Sequence, residues 1–372
     1  MKKNYFCLIF LFVISLVSCS DELRELESNK SITNLKSNMN EEEEEEGGGG
    51  SGSGGGSSWP DYFYVHRGDA SKNLYYAYSN NGVNYLTGQV GLGAQSSEGP
   101  AGVIFNNKMF VYYRGNGSSN IFVAYKSSPT AIWGGNTWIN NDSRTNKELS
   151  ALVHDNKVFV GHMGESNGAL YLNYSTNGTS FIQTQALSTG NNVRQFAMAS
   201  DGDRIYLFWT KSTDVFLSRV SYTWSDDPTN PNSWETNIVT DIETPNNMDI
   251  RAINGLSATI LNGKIHLVWA MEIDDQQPPA IPAPPTRYIQ WGVLDNRGDG
   301  QLSIVKSYLT RETKRRPGIT NDGINKLIIS FTGNSTDRVN TIHIRSTDGV
   351  EIQNAGETGG EAKVGGVFSF KR

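Results

Sequence analysis

Three arginines, Arg194, Arg251 and Arg316, stand just ahead of hydrophobic segments that recur along the chain. Guanidinium groups brought together form a fork of donors able to clamp a carboxylate, such as that of an acidic sugar. Arg67 and Arg114 follow a second set of recurring segments, at matching places. That second set carries a ring at one equivalent position six times: His66, Tyr113, His162, Trp209, Trp269 and Phe331. Flat rings can stack on a ligand, with Trp209 and Trp269 as the candidates here, or they can pack between neighbouring elements, which is the reading for most of the six. Carboxylates lie close by in the sequence at Asp69, Glu98, Glu165 and Glu272. Any two of them would need to stand about 5–10 Å apart to act as a paired acid and base. All these residues are scattered over more than half the chain, so any joint chemistry depends on the elements that gather them.

Those elements repeat. "YFYVHRG" (62–68), "MFVYYRG" (109–115), "VFVGHMG" (158–164), "IYLFWTK" (205–211), "IHLVWAM" (265–271) and "LIISFTG" (327–333) begin 47, 49, 47, 60 and 62 residues apart. Five of the six follow a preceding strand-like run, and the Asn-Gly, Asp-Gly or Asn-Lys pairs between are tight hairpin signals. Each is followed by a third run, among them "LYYAYS", "IFVAYK" and "LYLNYS", and then by a weaker fourth one, opened by Tyr85, Trp138, Phe181 or Trp234. Four antiparallel strands at this period make one blade of a β-propeller. The expected fold is therefore all-β, a six-bladed β-propeller over residues 59–372. A five-blade count would merge the irregular fourth and fifth repeats, yet each has its own strand pair. Blade one lacks an innermost strand, and "EAKVGGVFSFKR" (361–372) is unpaired and matches "EGPAGVIF" (98–105). The C-terminal strand is thus expected to close the ring, which removes two open sheet edges.

A small turn also recurs: "YSNNGVNYL" (78–86), "YSTNGTSFI" (174–182) and "RSTDGVEI" (345–352). Its Ser and Asn or Asp can bond backbone donors, and its Gly can take a positive φ. This turn resembles the Asp-box of sialidase-like propellers, with one residue fewer between the Asn or Asp and the Gly. The resemblance implies that the turn is structural and lies away from the ligand pocket. It also implies an arginine triad for the sugar carboxylate, to which Arg194, Arg251 and Arg316 would correspond. The matching inner strand of blade one offers Lys363-Val364-Gly365 in place of the expected arginine, and no Tyr/Glu pair stands where the nucleophile would be. The expected function is glycan binding of a lectin-like kind. The alternatives are an exo-acting glycoside hydrolase and a protein-binding adhesion module. The insertion "MEIDDQQPPAIPAPPTR" (271–287) would form a proline-stiffened rim or a plain long loop. "DNRGDG" (295–300) reads as a turn, because Arg297 sits where a calcium ligand would be.

Residues 1–18 carry Lys2, Lys3 and a short apolar run, the pattern of a signal peptide. Ser18-Cys19 resembles a bacterial lipobox, which implies lipid on Cys19. The following "SDE" resembles the surface-export signal of Bacteroides-group lipoproteins, which places the protein on the outer membrane facing outward. Residues 19–58 are polar, then poly-Glu, then Gly/Ser-rich, a flexible tether with a span of roughly 35 Å. The net charge of −6 is accounted for by Glu41–Glu46, and no basic stripe invites nucleic acid. The only other cysteine, Cys7, lies in the signal segment, so neither a disulfide nor a Cys-ligated metal is expected in the mature chain. No cofactor is expected, and the protein is expected to be a monomer.

Overall fold

The computed structural model describes residues 59–372 apart from 69–70, 184–186, 188, 212–218, 236–237, 242–249, 274–286, 296–301, 304–307, 314 and 334–336. The signal peptide, Cys19, the tether, Asp69 and most of the proline-rich insertion and of the 295–300 turn therefore lie outside the described residues. Every described element is a strand. Blade one contains β1 (Tyr62–Gly68), β2 (Leu74–Ser79) and β3 (Leu86–Gln89). Blade two contains β4 (Ala101–Phe105), β5 (Lys108–Arg114), β6 (Ile121–Lys126) and β7 (Gly134–Trp138). Blade three contains β8 (Ser150–His154), β9 (Lys157–Met163), β10 (Leu170–Ser175) and β11 (Ile182–Gln183). Blade four contains β12 (Val193–Ser200), β13 (Ile205–Lys211), β14 (Arg219–Ser225) and β15 (Ile238–Asp241). Blade five contains β16 (Ile250–Leu261), β17 (Lys264–Ile273) and β18 (Arg287–Asp295), with an outer strand split into β19 (Leu302–Ser303) and β20 (Tyr308–Glu312). Blade six contains β21 (Gly318–Asn321), β22 (Lys326–Thr332) and β23 (Arg338–Arg345).

The innermost strands touch in a closed circle, β4 to β8 to β12 to β16 to β21 and on through the last strand back to β4. This is the six-bladed ring. Its closure goes further than the sequence pattern indicated. One continuous strand, β24 (Glu351–Lys371), pairs with β23 through Glu351–Glu361 and with β1 through Ala362–Lys371. It serves as the outer strand of blade six and the inner strand of blade one, so the two blades form a single seven-stranded sheet. Arg372 completes the seam, donating its amide to the Asp61 carbonyl at 3.0 Å and a guanidinium N–H to the Trp59 carbonyl at 2.6 Å.

The core lies between blades, because each sheet buries both faces against its neighbours. Successive positions of β5, β9 and β13 are covered on both faces, among them Phe110, Val111, Val160 and Phe208. The recurring turn contributes to this packing. Ser79 Oγ accepts the Gly82 amide at 2.9 Å, and Asn81 Oδ1 accepts those of Val83 and Asn84. Ser175 and Asn177 repeat the same set of bonds around Gly178. Each turn then docks on the blade beside it. His343 Nε2 bonds the Gly82 carbonyl at 2.8 Å, and the Tyr112 hydroxyl donates to the Gly178 carbonyl at 2.9 Å. A Cβ on Gly178, where φ is +81°, would lie 2.6 Å from the Phe110 ring, so only glycine allows this approach. The third turn is built differently, on Asp348, which accepts the Val350 amide and pairs with Arg345 at 2.8 Å.

Candidate functional site

Two sets of side chains reach the same end of the propeller: those just before the inner strands and those at the ends of the second strands. Glu98 stands three residues ahead of Ala101, and Glu148 two ahead of Ser150, in adjacent blades. Arg114 ends β5 and places Nη1 3.5 Å from Glu98 Oε1. Arg67, 6% exposed at the end of β1, lies near enough for its charge to favour ionisation of Glu98. Burial pushes the Glu98 carboxyl above the usual carboxylate range; Arg114 opposes this, and the negative charge of Glu148 adds to it. Burial raises the Glu148 carboxyl too, against the pull of Arg316 and Lys147.

Arg316 is the centre of this arrangement. It belongs to blade six, yet Nη1 donates to the Leu149 carbonyl in blade three at 3.1 Å and stands 3.9 Å from Glu148 Oε1. Nε donates to Ser257 Oγ in blade five at 3.0 Å, and the guanidinium carbon sits 5.4 Å from the Phe368 ring in blade one. One side chain thus crosses the ring axis and ties four blades together. Room for it comes from Gly255 and Gly366, which flank its backbone at φ +73° and +67°. A Cβ on either would lie within 2.3 Å of an Arg316 atom. Beyond it runs an axial channel of about 250 Å³ lined by all six inner strands, including Val103, Ala151, Ala197, Thr320 and Phe368.

Several expectations are corrected here. Arg316 is not a free loop cation in a three-arginine clamp. It is 4% exposed, and its acidic partner is Glu148. Arg194 sits at a register shift where β12 pairs with β13 and is half-buried. Arg251 falls inside β16 rather than in a loop before it, and its side chain lies outside the described residues. Trp209 and Trp269 are each 0% exposed within inter-blade clusters, so neither presents a face to a ligand. His66, Tyr113 and His162 instead stack on Tyr75, Phe122 and Tyr171 of the adjacent strand, with centroids 5.3–5.7 Å apart. Glu165 is exposed in the loop after β9. Glu272 lies one residue from the end of β17, but its side chain is outside the described residues, as are those of Lys363 and Val364.

Of the proposed residues, the structure brings together Arg67, Glu98, Arg114 and Arg316, and it adds Glu148. Glu148 occupies in blade three nearly the place that Glu98 occupies in blade two. Aligning "EGPAGV" with "ELSALV" would have found it. At this end Arg114 Nε has no hydrogen-bond partner among the described residues.

No protein-family model matches the sequence, and no curated protein matches it. Among solved structures, an ulvan lyase of a new polysaccharide lyase family is 14% identical, covering 81% of this chain and 82% of its own, with a TM-score of 0.49. A nidogen/laminin complex is 10% identical over 83% of this chain and 98% of that one, also at 0.49. An α-L-arabinofuranosidase from Clostridium thermocellum is 12% identical over 71% and 95%, at 0.44. Enzymes of polysaccharides and a protein–protein complex thus stand at a similar distance, and the likeness is one of fold, with no bearing on activity.

Proposed function

We propose that the protein binds a glycan at the axial mouth formed by Arg67, Glu98, Arg114, Glu148 and Arg316. The observation that carries this reading is the alternation of carboxylate and guanidinium groups there, Glu98, Arg114 and Glu148 half-buried and Arg67 and Arg316 buried, all held by neighbouring blades. Sugar hydroxyls both donate and accept, so they match a fixed array of acceptors and donors. A purely anionic ligand would meet two carboxylates, and a purely cationic one would meet the arginines. An acidic sugar remains compatible, with Arg114 as the cation closest to solvent. On the sequence evidence, the domain is presented at the outer surface by lipid on Cys19 and the 19–58 tether. Cys19→Ser should release the protein from membranes.

A second reading, glycoside hydrolysis, is favoured by one feature. Glu98 and Glu148 are both raised by burial, and the charge on Glu148 holds Glu98 further toward its protonated form, as a general acid requires. The discriminating experiment is a glycan array run beside a panel of chromogenic glycosides, using the full-length chain. Binding without turnover supports recognition alone. Turnover that Glu98→Gln abolishes supports hydrolysis. A protein that neither binds nor cleaves any member contradicts both.

A further inference from the structure

Among the described residues, Trp138 is the only tryptophan that is exposed, at 51%. It ends the outermost strand of blade two, opposite Phe122, at the same end of the blade as Arg114 and Glu98. Its indole closes a radial series of rings: Tyr113 stacks on Phe122 at 5.7 Å, and Phe122 meets Trp138 edge-on at 6.2 Å. Leu92, 48% exposed, is tied to the same strand through its backbone carbonyl. Asn136, two residues before Trp138 on the same strand face, donates Nδ2 to the Leu92 carbonyl at 3.1 Å and accepts the Tyr113 hydroxyl. Leu92 and Asn136 both hold a left-handed backbone, with φ of +65° and +69°. For a bulky leucine that conformation costs about 1 kcal/mol or more, and here it leaves the side chain in water rather than in a core.

We propose that Trp138 and Leu92 form an outlying stacking subsite for a glycan chain whose other end occupies the mouth at Glu98 and Arg114. This inference rests on the glycan reading given above and makes the ligand an oligosaccharide or polysaccharide. Arg114 follows Tyr113 directly and bonds Glu98, so the ring series begins one residue along β5 from the mouth, on the opposite face of that strand. Inner and outer strands of one blade are three spacings apart, roughly 14 Å, which a single sugar does not bridge. Two apolar side chains form too small a patch for a stable protein partner, which buries on the order of 800 Å² per side. One indole face with a leucine beside it suits the C–H face of a single sugar ring.

The test titrates the full-length chain and its Trp138→Ala variant with two ladders, xylo-oligosaccharides and oligogalacturonides, from monomer to octamer. Wild-type affinity should rise with chain length. Trp138→Ala should lose about tenfold for the long members only, with monomer binding and the melting temperature unchanged, and Trp138→Tyr should restore most of the loss. A variant that binds long chains as wild type does, or that loses short and long ones equally, overturns the subsite while leaving the mouth intact. A wild type that binds no member of either ladder overturns the subsite, while the glycan reading beneath it stands or falls separately on the array.

Discussion

At the residue scale, Arg316 shows how far a side chain's role depends on where the fold places it. As sequence, it is one of three arginines ahead of inner strands. In the folded ring it is a buried cation whose charge is balanced by Glu148 and whose donors bond blades three and five. Removing one member of a buried pair leaves the other uncompensated, so Arg316→Met should cost about 3–5 kcal/mol. Adding Glu148→Gln to that variant should recover part of the loss, and chemical denaturation of the single and double variants measures both. The buried histidines provide a second residue-level test. Burial lowers His66 and His162 to about 4, well below the ordinary 6.5. The unfolded chain therefore takes up protons first as pH falls. Their contribution is fully present above about pH 6.5 and is lost on the way down to about 4, on the order of 3 kcal/mol for each. The raised carboxyls of Glu98 and Glu148 act in the opposite sense and oppose part of this acid loss. His162→Tyr, which copies the Tyr113–Phe122 pair of blade two, should flatten the fall in melting temperature between pH 7 and pH 4. An unchanged slope would show that His162 does not titrate as its burial requires.

At the element scale, the strands and hairpins were legible because recurring apolar segments and the Asn-Gly or Asp-Gly pairs between them are local signals. The Ser-x-Asn-Gly turn was legible as a turn, but its docking on the neighbouring blade was not. That role depends on Phe110 and Tyr112, more than sixty residues away from Gly178. Gly178→Ala would place a methyl 2.6 Å from the Phe110 ring at a positive φ. It should cost about 2–3 kcal/mol. Gly117→Ala, at φ +72° with open space around it, should cost only about 1 kcal/mol. Equal melting temperatures for the two variants would contradict the docking role. The ring positions were misassigned at Trp209 and Trp269 because equivalent positions in a repeat reveal register, not which side of a blade is covered. Only the neighbouring blade decides that, and here it buries both indoles completely.

At the scale of the whole molecule, the blade count and the closing strand followed from six aligned segments and one unpaired C-terminal run. The candidate site did not follow in the same way. It is made of residues from different blades meeting at an axis, a convergence that spacing along the chain does not record. Closure itself is testable. Deleting residues 362–372 removes the inner strand of blade one and the Arg372 bonds to Asp61 and Trp59, and it exposes two sheet edges. The truncated chain should aggregate or lose its cooperative melting transition, and a wild-type melting curve would contradict a ring closed by β24. The central claim is that the mouth around Glu98 and Arg114 holds the glycan. The most direct measurement is a calorimetric titration of wild type and Arg114→Ala with a glycan identified on the array, alongside melting curves for both. Loss of a charge-assisted hydrogen bond should weaken binding by about tenfold or more. The melting temperature should stay nearly constant, because the Arg114 side chain is 20% exposed and its ion pair with Glu98 is long. Undiminished affinity in a folded Arg114→Ala variant would contradict the account.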